Sequence, residues 1–195
     1  PMPPDPPPEK ISQAAAVISA AKFPIIMAGN GVVRGNASNA LVEFAEKLNI
    51  PVTQTFMAKG CIPFNHPLSL GTIGLQARDY AACGFDRADV VVCVGFDMVE
   101  YHPSLWHPQR DKKIIHIDRS YAEVDAHYVL ECGVIGDIAE SLRQIAEQAT
   151  PSDITGIGNL REAIVRELDE FAEDDSFPMK PQRILYDTRQ VMRDQ

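Results

Sequence analysis

The run Asp89-Val-Val-Val-Cys-Val94 constrains this chain more than any other stretch, because after its first residue it offers no polar side chain to water. A strand that is apolar on both faces belongs to a parallel sheet covered by helices, whereas an antiparallel strand with one wet face alternates. Lys113-Ile-Ile-His-Ile-Asp118 repeats the pattern and carries a carboxylate to its C-terminal end, and Gly136-Asp137 further on opens a helix. Ligands of open α/β sheets sit beyond the carboxyl ends of the strands, so Asp118 stands where a ribose or an adenine is read.

Around these runs, helical and strand periods alternate. Glu9 to Lys22 has apolar residues at helical spacing, Pro24–Ala28 reads as a strand, and Gly29-Asn30-Gly31 as a turn. Asn36 to Leu48 is amphipathic, with Leu41, Phe44, Ala45 and Leu48 on one face, and Pro51–Gln54 is a second strand. Met57 to Leu75 has no clear period and is long for a connection, as functional or interfacial loops often are. Ala77 to Phe85 reads as helical; an irregular stretch follows the Asp89–Val94 strand, and a turn near Ala122–Asp125 precedes a short strand at Cys132–Ile135 and a helix from Asp137 to Gln148. The expected fold is α/β, a doubly wound, mainly parallel sheet with right-handed crossovers, Rossmann-like and flanked by helices.

The ends read differently. Residues 1–9 form a proline-rich, linker-like stretch. Residues 10–150 hold the β-then-α pattern, and residues 151–195 carry an acidic amphipathic segment, Leu160 to Asp175, then Pro181-Gln-Arg-Ile-Leu185 leading into a short helix. The expectation is one domain cut from a longer polypeptide.

Among 195 residues, 18 Lys and Arg face 27 Asp and Glu, a net charge of −9, the wrong sign for neutralising a phosphate backbone. No nucleic-acid or anionic-membrane partner is expected. No apolar run reaches the ~18 residues of a membrane span and no charged-then-apolar leader opens the chain, so the expected location is cytoplasmic. Cys61, Cys83, Cys93 and Cys132 are scattered without a C-x-x-C pair and read as reduced thiols.

Several chemistries lack their residues. Gly29-Asn30-Gly31-Val-Val-Arg34-Gly35 follows a strand as a dinucleotide fingerprint does, yet its third glycine is one residue late and Thr53-Gln54-Thr55, not an acid, ends the second strand. Taken alone, it reads as a tight strand-to-loop turn. It has no Lys-Ser/Thr pair of a P-loop, and no G-x-S-x-G elbow occurs anywhere. His66, His102, His107, His116 and His127 lack metal-ligand spacing and read as satisfied core or surface residues, so no metal site is expected. Asp97 and Glu100 stand after a strand, where acid/base chemistry is sited, but loop solvation and helix capping compete for them. No catalytic residue is assigned.

Taken together, five segments resemble one family. Pro51-Val-Thr-Gln-Thr-Phe-Met-Ala-Lys-Gly60, His66-Pro-Leu-Ser-Leu-Gly71 with Gly74, Ala88-Asp-Val-Val-Val-Cys-Val-Gly95, Ile115-His-Ile-Asp118 and Gly136-Asp137 are similar, in this order, to the central domain of thiamine-diphosphate-dependent enzymes. Gly95-Phe-Asp-Met-Val-Glu-Tyr-His-Pro103 with Trp106 resembles acetolactate synthase large subunits of the catabolic, flavin-independent type, and the tail from Pro181 resembles the start of that family's third domain.

The resemblance implies a six-stranded sheet in an enzyme that decarboxylates pyruvate or a related 2-oxo acid and condenses the product with a second carbonyl. It implies N- and C-terminal domains of the same polypeptide as partners, a homo-oligomer, and thiamine diphosphate with Mg²⁺ held by those outer domains, leaving this segment inactive alone. Matched to the family's flavin-containing members, the cofactor-binding positions are Gly29, Asn30, Gly31, Gly74, Leu75, Gln76, Gly95, Asp118 and Asp137. Those members carry Arg-Phe-Asp-Asp-Arg after the glycine matching Gly95, where this chain has Phe96-Asp-Met-Val-Glu100. Both cations beside a pyrophosphate are gone, and with them charge-assisted hydrogen bonds. FAD is therefore not expected to be held, and the cleft reads as vestigial. The alternative is a free-standing FAD- or NAD-binding module of an electron-transfer or other nucleotide-dependent protein.

Overall fold

A computed structural model describes residues 4–74 and 84–192. Its centre is a six-stranded, all-parallel sheet of β1 (Pro24–Ala28), β2 (Val52–Thr55), β3 (Ser69–Ile73), β4 (Val90–Val94), β5 (Lys113–Asp118) and β6 (Leu130–Ile135), in the order β3-β2-β1-β4-β5-β6. The chain crosses from β1 outward to β3, then returns to lay β4 on the other side of β1. That reversal opens a crevice between the β1 and β4 carboxyl ends, the switch point of a doubly wound sheet.

Alternation along the strands divides the core between two faces. Ile26, Ala28, Val90, Val92, Val94, Ile115 and Ile117 point to one side, where α1 (Pro8–Ser19), α3 (Ser38–Leu48) and α5 (Ile138–Gln148) cover them. Ile11, Ala14, Ala15 and Ile18 of α1 recur at helical spacing and are buried, as are Leu41, Phe44, Ala45 and Leu48 of α3. α5 packs against both helices. Ile25, Met27, Val91, Cys93 and Ile114 face the other side, where Phe85, Phe96, Trp106 and Tyr128 form an aromatic layer with Phe85 and Trp106 centroids 5.5 Å apart. The Trp106 indole, at the end of the short α4 (Pro103–Trp106), donates to the Tyr101 carbonyl at 3.2 Å.

The structure departs from the sequence reading in several places. Gly29-Asn30-Gly31 is no simple turn: it starts the one-and-a-half-turn helix α2 (Asn30–Arg34). β3 lies inside the stretch that showed no period, because this edge strand mixes Ser69, Gly71 and Thr72 with Leu70 and Ile73 and shifts register against β2. α1 begins at Pro8, inside the expected linker, since a proline at the first helical position loses no intrahelical hydrogen bond. The preceding segment is also packed: Pro4 O accepts from Asp137 N–H at 3.0 Å and Pro6 lies over Gly136, where an added Cβ would sit 2.8 Å from the Pro6 nitrogen.

Packing also continues past residue 150. Ile154 and Ile157 join the aromatic face, with Ile157 opening α6 (Ile157–Leu168), and Arg161 of α6 donates to the Ser69 carbonyl at 2.6 Å. α7 (Pro181–Val191) has no buried residue. The helix expected over Ala77–Phe85 lies mostly outside the described residues; Phe85–Arg87 forms a single 3-10 turn. Cys61, Cys93 and Cys132 are buried free thiols, and burial pushes Cys61 and Cys93 up to about 12, which keeps them protonated. Among the described residues no helix is long and apolar enough to cross a membrane.

Candidate functional site

A cleft of about 810 Å³ opens at the carboxyl ends of β1, β4 and β5. Asn30, Gly31 and Arg34 of α2 form one wall, Gly95 to Glu100 the floor after β4, and Asp118 to Glu123 the opposite wall after β5, with His116 and Tyr128 between them. This is where the doubly wound topology puts a ligand.

Three glycines set the backbone spacing. Gly95 has φ +59°, and a Cβ there would lie 2.4 Å from the Val32 nitrogen; a Cβ on Gly31 would lie 2.6 Å from the Gly95 Cα. Gly31 N–H donates to Gly95 O at 2.7 Å and Gly29 N–H to Val94 O at 2.9 Å. These glycines therefore let the β1–α2 connection and the end of β4 touch each other.

Glu100 closes the same corner. Its carboxylate accepts from Asn30 N–H, with both oxygens at 3.1 Å, from the Thr55 hydroxyl at 2.6 Å and from Asp97 N–H at 3.2 Å. Donors from the ends of β1, β2 and β4 thus converge on one side chain. The capping alternative raised for Glu100 describes this geometry, with the capped N–H lying 70 positions earlier in the chain. Asp97 instead accepts from Val99 N–H at 3.0 Å, holding its own loop.

On the far wall, Asp118 Oδ1 accepts from the N–H groups of Arg119 and Ser120, so the carboxylate organises the loop that lines the cleft. His116, beneath it, pairs through Nδ1 with the Tyr128 hydroxyl at 3.0 Å and through Nε2 with Ser120 O at 3.4 Å. Burial drives the His116 pKa below its ordinary value, partly opposed by Asp118, and raises that of Tyr128, so both are neutral near neutral pH.

Of the residues expected at a cofactor site, Asn30, Gly31, Gly95 and Asp118 line the cleft together. Gly29 lies just behind, where an added Cβ would be 2.8 Å from Glu100 Oε1. Gly74, at φ +93°, packs against the Tyr101 ring outside the cleft. Asp137 does not line it either: its Oδ1 accepts from Glu140 N–H at 2.9 Å as the N-cap of α5. Leu75 and Gln76 lie outside the described residues. Sequence reasoning did not single out Arg34, Arg119, Tyr121 and Tyr128, which no local spacing marks.

The fold and the cleft define, as a class, a doubly wound α/β domain with an open crevice at its switch point, where ligands of such sheets sit. Comparison with known proteins narrows this. The family model described as "Thiamine pyrophosphate enzyme, central domain" matches residues 11–145, and the chain belongs to that family. It is 32% identical over 194 residues to the assigned acetolactate synthase large subunit of Methanocaldococcus jannaschii, covering 96% of this chain and 32% of that protein. It is 29% identical to the acetolactate synthase of Bacillus subtilis, over 95% of this chain and 29% of that one, and 30% identical to the glyoxylate carboligase of Escherichia coli O157:H7, over 90% and 31%. An X-ray structure from Mycobacterium smegmatis, assigned as a thiamin diphosphate-dependent enzyme, superposes with a TM-score of 0.62 at 27% identity over 77% of this chain and 29% of that one. The chain thus spans about a third of the length of the curated relatives it matches.

The family implies thiamine pyrophosphate as cofactor. Among the described residues no three His, Cys, Asp or Glu converge as a metal-ligating set, and the one Gly-Asp pair, Gly136-Asp137, is spent on capping α5. These residues do not fit a metal-diphosphate site.

Proposed function

We propose that this chain is the central domain of an acetolactate-synthase-like enzyme, which decarboxylates pyruvate or a related 2-oxo acid and joins the two-carbon product to a second carbonyl. The observation that carries this reading is the likeness to acetolactate synthases over 96% and 95% of the chain, joined to the family match over residues 11–145. Cofactor and Mg²⁺ would be held by the flanking domains of the same polypeptide, in a homo-oligomer. The domain's own part is to fix those neighbours against a rigid sheet, with its cleft a remnant of a nucleotide site.

The apolar side chains of Phe56, Met57 and Phe64 support the neighbour role. They are 58%, 56% and 42% exposed and cluster on the β2–β3 connection. Large apolar side chains grouped on a connecting loop mark an interaction surface.

The test is turnover by the longer polypeptide that contains this chain with its flanking domains. With pyruvate, thiamine diphosphate and Mg²⁺ it forms acetolactate and releases carbon dioxide. Turnover of glyoxylate with no acetolactate from pyruvate would replace this reading with the carboligase one.

A further inference from the structure

We infer that Glu100 is a built-in counter-anion that sets the ligand class of the cleft, admitting an uncharged nucleoside and rejecting a diphosphate. The inference rests on the reading of the cleft as a nucleotide-type site and concerns which half of a nucleotide it still accepts.

A pyrophosphate lying across a switch point is held by backbone N–H groups at the β1 turn and by nearby cations. Here those donors are taken. Asn30 N–H points to the Glu100 carboxylate at 3.1 Å, Gly31 N–H to Gly95 O at 2.7 Å, and Val32 N–H to Gly29 O at 3.1 Å. The Thr55 hydroxyl and Asp97 N–H point to Glu100 as well. The chain thus offers its own carboxylate to a set of donors that would otherwise face a phosphate. Four bonds from three strand ends hold it there, so it cannot swing away at little cost.

Charge in the remaining space acts in the same direction. The walls carry Asp97, Glu100, Asp118 and Glu123 against Arg34 and Arg119, and His116 is neutral near neutral pH. A diphosphate entering here meets a net negative floor at close range, where repulsion between like charges is strong. The other half of a nucleotide meets no such barrier. The wall after β5 offers Asp118 and the exposed Tyr121 ring beside the buried His116 and Tyr128, which suit a base and its ribose.

The experiment is calorimetric titration of adenosine and of ADP into the wild-type chain, Glu100→Ala and Glu100→Gln, with circular dichroism to confirm that each is folded. The glutamine variant keeps the size of the side chain and its acceptor oxygen while removing the charge, so it reads the electrostatic part if the alanine variant does not fold. The wild type is expected to bind adenosine at least as well as ADP, and either variant to shift the ratio of affinities toward ADP by at least about tenfold as the repulsion is lifted. Adenosine binding with an unmoved ratio in a folded variant overturns the role of Glu100 alone. A wild type that prefers ADP by more than about tenfold overturns it too, since a retained counter-anion cannot coexist with that preference. No binding of either ligand to any of the three proteins overturns the nucleotide-cleft reading itself, and the inference with it.

Discussion

The Tyr128 hydroxyl and His116 Nδ1 lie 3.0 Å apart, joining the loop after β5 to the strand it leaves. With Nε2–H turned to Ser120 O, Nδ1 is the acceptor and Tyr128 the donor. One side chain thus secures the far wall of the cleft to β5. Tyr128→Phe keeps the aromatic packing against Phe96 and Trp106 but leaves the buried imidazole nitrogen without its partner. The expected loss of stability is about 1–3 kcal/mol. Urea unfolding of the two proteins measures it, and an unchanged midpoint sinks the assignment.

Acid should weaken the fold through its buried histidines. His107 accepts from Lys112 N–H on Nε2 at 3.0 Å and donates from Nδ1 to His127 O at 2.8 Å; burial holds it neutral, as it does His116. Folded pKa values below the ordinary histidine value of about 6.5 mean that the unfolded chain takes up protons first as pH falls. The stabilisation is fully present above about pH 6.5 and is lost as pH drops toward the depressed folded values. Wild-type stability is expected to fall between about pH 7.5 and about pH 5.5, and the His107→Asn/His116→Asn double variant to show a shallower change. Equal pH slopes in denaturant titrations would exclude these two groups as the source.

Two glycines with left-handed backbones should respond differently to alanine. Gly60, φ +96°, has open space around the added carbon, so Gly60→Ala carries only conformational strain, of order 1–3 kcal/mol. Gly95→Ala adds to that strain a carbon 2.4 Å from the Val32 backbone. It is expected to cost more than Gly60→Ala and to loosen the α2–β4 corner. Equal unfolding free energies for the two variants contradict the close approach.

The exposed loop should make the chain sticky. With Phe56 and Met57 more than half exposed, the isolated 195-residue chain is expected to self-associate at high concentration, and Phe56→Ser with Met57→Ser to reduce it. Light scattering across a dilution series reads both. A wild type that stays monomeric throughout argues against a covered surface here.

By itself the chain should not turn over pyruvate. No metal-ligating set exists among its described residues, and the proposed cofactor sites belong to the flanking domains. Carbon dioxide release from the purified 195 residues with thiamine diphosphate and Mg²⁺ would refute this.

The sequence by itself determined the layers of the fold. Asp89–Val94 and Lys113–Ile117 could only be covered strands, and Leu41, Phe44, Ala45 and Leu48 only an inward helix face, because burial at fixed period is written locally. It also placed Gly95 and Asp118 at the carboxyl edge, since a strand fixes where its last residue emerges. β3 escaped because an edge strand with one polar-leaning face and a register shift lacks that period. Tertiary structure alone decided the site. Two partners of Glu100 lie 70 and 45 positions away, and only the strand order β2-β1-β4 brings Asn30 and Thr55 to its carboxylate. The same folding assigned Asp118 to the cleft and Asp137 to a helix cap, two acids that follow strands in the same way and differ in what the completed sheet sets beside them. Periodicity records how each segment is buried, whereas the chemistry of the cleft depends on which segments become neighbours, and that is settled only when the sheet is assembled.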